Sequence, residues 1–222
     1  MNNNFLCVFD FETGGKNPHR CQITQIAAII LHPRSLKPVD TFNQECRLEM
    51  DETKLTALEL DPVEQEALKI TGKTVEGLSD KPSEAMMWKQ FSLFVKKYNP
   101  STGTYKAPLP CGYNILNFDL AICDRATKMY KTPELFNRHL IIDCYHEFRA
   151  WTENNPSIQS HKLSDFMDFM GLPPELKENA HDALQDVKNV GNCLIKLLHF
   201  KREISKKTDF SQAFANNRMF IE

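Results

Sequence analysis

An apolar run from Phe5 to Phe9 closes directly on Asp10, and Glu12 follows two residues later, in FLCVFDFETGG. The run reads as a β-strand, and side chains two apart on a strand share one face of its sheet. Two carboxylates ending such a strand are either solvated acids or a pair of hard oxygen ligands whose repulsion a cation offsets. Such ligands suit Mg²⁺ or Mn²⁺ and do not suit zinc.

The strand is the first of several elements. The loop TGGKNPHRC turns through Gly14, Gly15 and Pro18 into a second apolar run, Gln25 to Leu31. Alternation of Phe42, Cys46 and Leu48 predicts a third strand over Thr41 to Leu48, so the sheet should open as an antiparallel meander. The stretch from Asp61 to Tyr98 has helical spacing, with Pro62 placed to start one helix and Ser83 another that carries Met86, Met87, Phe91, Phe94 and Val95. A loop from Asn99 to Pro110 leads to a strand at Leu109–Tyr113 and a helix through Asp119 to Met129. Leu140 to Cys144 reads as another strand. The last helix is expected from Asp182 to Phe200, where Leu184, Val187, Val190, Leu194, Leu197 and Leu198 fall within about 140° of arc. The pattern is that of an α/β protein with one domain over residues 1–200 and a polar tail over 201–222, packed on the domain or free.

The bulk numbers narrow the partners. Of 222 residues, 25% are charged and the net charge is -2, so nucleic acid could be held only through a local basic patch. Arg125, Lys128, Lys131 and Arg138 form one such cluster, and Lys201, Arg202, Lys206 and Lys207 another; solvated faces are the simpler reading of both. Seven scattered cysteines without a CxxC pair predict buried, reduced thiols and an intracellular compartment. MNNNFLCVFD does not have the form of a secretory signal, and no apolar run nears the ~18 residues that cross a bilayer, so no membrane partner is expected.

Two further segments carry acids. In CGYNILNFDL, Asp119 stands at a helix start, where the dipole favours a carboxylate; Asn114 is a turn residue or a hydrogen-bonding group, and Phe118 is a core ring or a base-stacking one. In AHDALQDV, Asp186 lies at the edge of the last helix's apolar arc, pointing at the rim of the sheet. Asp182 is placed at the N-cap, which puts His181 just ahead of the helix, well placed to accept a proton from an attacking water.

Taken together, DFET (Asp10 to Thr13), Asn114-xxx-Phe118-Asp119 and His181-Asp182-Ala183-xx-Asp186 resemble the DEDDh branch of the DnaQ-like 3′→5′ exonucleases. EALKITGKTVEGL and HKLSDFMDFMGL look like the family's connecting segments, so the resemblance covers residues 5 to 200. It implies an RNase H-like mixed five-stranded sheet flanked by helices. It implies that Asp10, Glu12, Asp119 and Asp186 hold two divalent ions, Mg²⁺ or Mn²⁺, and that His181 is the general base. Thr13, Gly14, Asn114 and Phe118 are then the groups that meet the substrate. Three residues, Ile115 to Asn117, separate Asn114 from Phe118, a spacing similar to that of the exonuclease I branch, which implies single-stranded DNA with a free 3′ end as substrate. The chain is far shorter than that branch, and Gly14-Gly15 stands where the family more often has Thr-Gly-apolar. The alternatives are an RNA-trimming exoribonuclease, a proofreading subunit, and a non-catalytic binding module of the same fold; protein partners are unknown.

Overall fold

The computed structural model describes residues 4–177 and 182–211. Among these, five strands make one sheet: β1 (Leu6–Thr13), β2 (Ile23–Leu31), β3 (Pro38–Glu45), β4 (Leu109–Gly112) and β5 (Ile142–Asp143), in the order β3-β2-β1-β4-β5. The meander β1-β2-β3 is antiparallel, while β4 runs parallel to β1 and β5 parallel to β4. This is the mixed α/β sheet that the sequence predicts. Around it lie α1 (Glu52–Ala57), α2 (Gln65–Thr71), α3 (Val75–Leu78), α4 (Glu84–Lys96), α5 (Asp119–Tyr130), α6 (Cys144–Trp151), α7 (Leu163–Phe169) and α8 (Ala183–Lys207).

The period-2 alternation of β1 sorts its residues between two cores. Cys7, Phe9 and Phe11 pack with Trp88 and Phe91 of α4 and Ile122 and Ala126 of α5. Leu6 and Val8 face the other way, onto Phe166 of α7 and Val187, Val190 and Leu194 of α8. Asp10 and Glu12 continue the Leu6–Val8 row, so the strand carries them to the face that α8 covers. That is the step from sequence to site: an apolar row becomes an acidic one where the sheet face ends.

Several boundaries differ from the sequence reading. β1 runs on through Glu12 to Thr13, because antiparallel pairing with β2 continues to Thr13–Ile23. β3 spans Pro38–Glu45 in place of Thr41–Leu48. The tight turn after β2, with Leu36 at φ 57°, starts the pairing at Pro38, and Arg47 bridges to Ser83 beyond the strand. Pro62 starts no helix: Glu64 is extended and its N–H donates to the Gly14 carbonyl at 2.7 Å, so α2 begins at Gln65. Ser83 does cap α4, its hydroxyl accepting the Met86 N–H at 3.3 Å. Cys144 opens α6 and leaves β5 two residues long. The last helix extends seven residues past Phe200, to Lys207.

All seven cysteines are free and buried, and burial pushes every thiol up from its ordinary value, which makes them inert packing groups. Among the described residues no helix is long and apolar enough to cross a membrane.

Candidate active site

α8 brings its first turn against the acidic end of β1. Carboxylate oxygens of Asp10, Glu12 and Asp186 all lie within 4.8 Å of one another. Burial is the main cause that pushes Asp10 up to about 7, and the carboxylates of Asp186 and Asp182 add to it. Glu12 is pushed up to about 8, again first by burial, then by Asp10 and Asp186, with Lys73 pulling the other way. Asp10 and Glu12, half-buried beside Asp186, resist ionising together, so the cluster favours a positive charge among its oxygens. Its donors are all hard oxygens, the chemistry that fits Mg²⁺ or Mn²⁺.

Asp119 stands apart from that trio. It is 4% exposed, and its Oδ1 accepts the backbone N–H of Phe11 at 3.1 Å. The reason is topological. β4 pairs with β1 only as far as Val8–Cys111, so the β4 side of β1 lies open beyond that point. The chain turns after Gly112 and enters α5, whose first residue supplies the acceptor that a strand would have given. Burial and the neighbouring Asp10 raise the Asp119 carboxyl well above its ordinary value, and the Phe11 N–H draws it part of the way back.

The turn between β4 and α5 is held by a residue that sequence reasoning missed. Asp143 is buried and accepts N–H groups from Asn114 (2.7 Å), Leu116 (3.0 Å) and Tyr145 (3.0 Å). It thereby caps α6 and fixes Asn114 in the left-handed region at φ 59° with its side chain exposed. The turn also needs Gly112, since a Cβ there would meet Ile115 Cγ2 at 2.2 Å and the Phe9 carbonyl at 3.0 Å. A signal was present: Asp143 ends a short apolar run, as Asp10 does.

The remaining sequence candidates fall as follows. Thr13 is buried and its hydroxyl donates to the Gly15 carbonyl at 2.8 Å, which closes the glycine turn at the end of β1. Gly14 is covered by Val63, whose Cγ2 lies 2.9 Å from where a Cβ would stand. Phe118 is partly buried against the α4–α5 core. Asp182 is the N-cap of α8, accepting the Gln185 N–H at 3.0 Å, as predicted. His181 lies outside the described residues.

The basic clusters resolve mostly into structural pairs. Arg125 is buried against Glu84 at 3.2 Å, Arg138 pairs with Asp124 and the Leu120 carbonyl, and Lys201 pairs with Glu147. Arg202 donates to the carbonyls of Pro33 and Arg34, and Lys206 and Lys207 both reach Glu203.

The mixed sheet and the Asp10–Glu12–Asp186 cluster, a donor set that fits a divalent metal ion, accord with family comparison. Residues 7–194 match the RNase_T family, described as Exonuclease, and the chain belongs to that family. Enzymes of this kind are hydrolases that use divalent metal ions. Among solved structures, the zinc-bound complex of E. coli ExoI with single-stranded DNA is similar at TM-score 0.70 and 20% identity, covering 90% of this chain and 41% of that one. Cell-death related nuclease 4 (CRN-4) gives 0.67 at 16% identity, covering 90% and 65%. The nuclease domain of 3′hExo, a DEDDh family member bound to rAMP, gives 0.66 at 16%, covering 89% and 92%. The chain spans about two fifths of the length of the ExoI chains it matches. No curated protein sequence matches it.

Proposed function

We propose that the protein is a 3′→5′ exonuclease of the DEDDh type that removes nucleoside 5′-monophosphates from the free 3′ end of single-stranded DNA. The observation that carries this reading is the Asp10–Glu12–Asp186 cluster, three carboxylates within 4.8 Å at the end of an otherwise apolar sheet face. Asp10, Glu12 and Asp186 hold the ions, with Asp119 behind Asp10. When bound, two divalent ions supply Lewis-acid polarisation of the scissile phosphate and lower the pKa of water toward neutrality. His181, immediately before the α8 N-cap, accepts the proton of the attacking water, a role worth about 10²–10⁴ in rate. The exposed Asn114 side chain and the turn from Thr13 to Gly14 meet the terminal nucleotide, and the ring of Phe118 supports that end of the site from the core side. Support for single-stranded DNA comes from the spacing of Asn114 and Phe118 and from the likeness to ExoI bound to single-stranded DNA.

One observation favours a second reading, trimming of RNA: the 3′hExo domain, similar over 89% of this chain, carries rAMP. A substrate panel at fixed salt separates the two. Single-stranded DNA, duplex DNA, RNA, 3′-blocked strands and circles are incubated with Mg²⁺ or Mn²⁺. Release of mononucleotides from free 3′ ends of DNA, stopped by EDTA, is the expected result. Preference for RNA selects the second reading, and cutting of circles overturns both.

A further inference from the structure

Lys73 follows Gly72, the left-handed residue (φ 66°) that ends α2, and its N–H closes the helix on the Leu68 carbonyl at 2.9 Å. The turn sends the side chain onto the sheet, where it is 8% exposed. Its ammonium donates to Glu45 Oε1 at 2.7 Å and to Gln25 Oε1 at 2.9 Å. An ammonium has no acceptor, so it orients the Gln25 amide: the oxygen faces Lys73 and the NH₂ faces the other way. That NH₂ donates to Asn43 Oδ1 at 2.9 Å and to Asp182 Oδ2 at 3.2 Å. Asp182 therefore spends one oxygen on the sheet and the other on the Gln185 N–H, and its carbonyl receives the Asp186 N–H at 2.9 Å.

Gln25 is 2% exposed and stands directly across the sheet from Glu12. The brace thus begins beside one member of the acidic cluster and ends one helical turn from another. It is needed there because Asp10 and Glu12 on β1 repel both Asp182 and Asp186 at the head of α8, and that repulsion pushes the first turn of the helix off the sheet. Ala183 and Val187 anchor the first turns of α8 in the core by apolar contact, and the polar strut acts one residue earlier, at the Asp182 cap. A polar strut at the cap is what opposes the repulsion at its source.

We infer that Lys73 is a positioning residue, which through Gln25 and Asp182 locks the first turn of α8, and Asp186 with it, against the acidic end of β1. The functional half of this inference rests on the exonuclease reading above; the mechanical half does not. Hydrogen exchange of the amides of residues 183–187 reads the brace directly, without substrate or metal. Lys73→Met should speed exchange there about fivefold, the equivalent of one lost hydrogen bond, and leave the amides of β1 and β2 unchanged. Asp182→Ser keeps a good cap but cannot reach Gln25, and it should do the same; it also serves if Lys73→Met fails to fold. The two together should be no worse than either, and Lys73→Arg should restore protection. In the nuclease assay, Lys73→Met should lower kcat and leave KM for the oligonucleotide unchanged. Unchanged exchange in the first turn of α8, additive effects in the double variant, or a rise in KM with kcat intact would each overturn the inference. If the wild-type protein cleaves nothing, the exonuclease reading fails and the exchange result still decides the brace.

Discussion

The backbone N–H of Phe11 donates to the carboxylate of Asp119, 108 residues away, at 3.1 Å. One side chain thus completes the hydrogen bonding of β1 and stands next to Asp10. Asp119→Ala leaves that N–H buried and unpaired, with an expected loss of about 1–3 kcal/mol in urea unfolding. Asp119→Asn keeps an acceptor, so its stability should stay near wild type while hydrolysis falls by about 10–100-fold. Equal loss of stability in both variants would contradict the account.

Asp186→Asn separates activity from stability. Asp10 and Glu12 both lose a repelling neighbour, so at pH 8 in EDTA the variant should melt above wild type by a few degrees, roughly 2–4 °C per kcal/mol for a chain this size. Hydrolysis should fall by about 10³-fold. Thermal melts and single-turnover assays on the same preparation check both signs.

The raised carboxyls fix the direction of the pH dependence. Asp10 and Glu12 take up protons more readily folded than unfolded, so their contribution to stability is full below their ordinary values near 4. It is lost as pH rises through about 7 and about 8. Metal-free protein should therefore lose melting temperature between pH 5 and pH 8.5. Added Mg²⁺ or Mn²⁺ should return most of the loss at the alkaline end and little at pH 5, where protons compete for the same oxygens.

Asp143→Ala removes the acceptor for three backbone N–H groups in the Asn114 turn and the α6 cap, and should cost about 2–4 kcal/mol. Asp143→Asn keeps one acceptor oxygen. It should fold and bind Mn²⁺ normally yet show a raised KM for oligonucleotide, because the exposed Asn114 is no longer held at its angle. Wild-type KM in Asp143→Asn would separate the turn from substrate binding.

Much of this site was legible in the sequence because its acids interrupt strong patterns. Asp10 and Glu12 break an apolar strand, and Asp186 sits at the rim of a helical stripe, so period alone gives their faces. What stayed hidden depends on partners far along the chain. Gln25 is a polar residue inside ITQIAAIIL, and its meaning appears only when Lys73 and Asp182 meet it. Glu84, in the first turn after Ser83, is 8% exposed, accepts the Ile23 N–H at 2.8 Å and pairs with Arg125, contacts that no local pattern encodes. Arg125 in turn read as a member of a basic cluster. Strand ends were misjudged where pairing, and not composition, decides them: β3 starts at Pro38 because β2 is there to meet it. α6 and α7 were missed because they are short and lean on tertiary contacts, such as Phe148 and Phe166, for their stability.

The rear of α8 has a practical meaning for anyone shortening the protein. Arg202 reaches back to the carbonyls of Pro33 and Arg34, each at 2.7 Å, and Lys201 pairs with Glu147, so the helix that carries Asp186 at its front is moored at its far end as well. Trimming at Phe200, where the sequence turns polar, cuts both moorings and leaves the helix held by its apolar face alone. A minimal catalytic unit should be cut beyond Lys207, in the stretch that begins at Thr208.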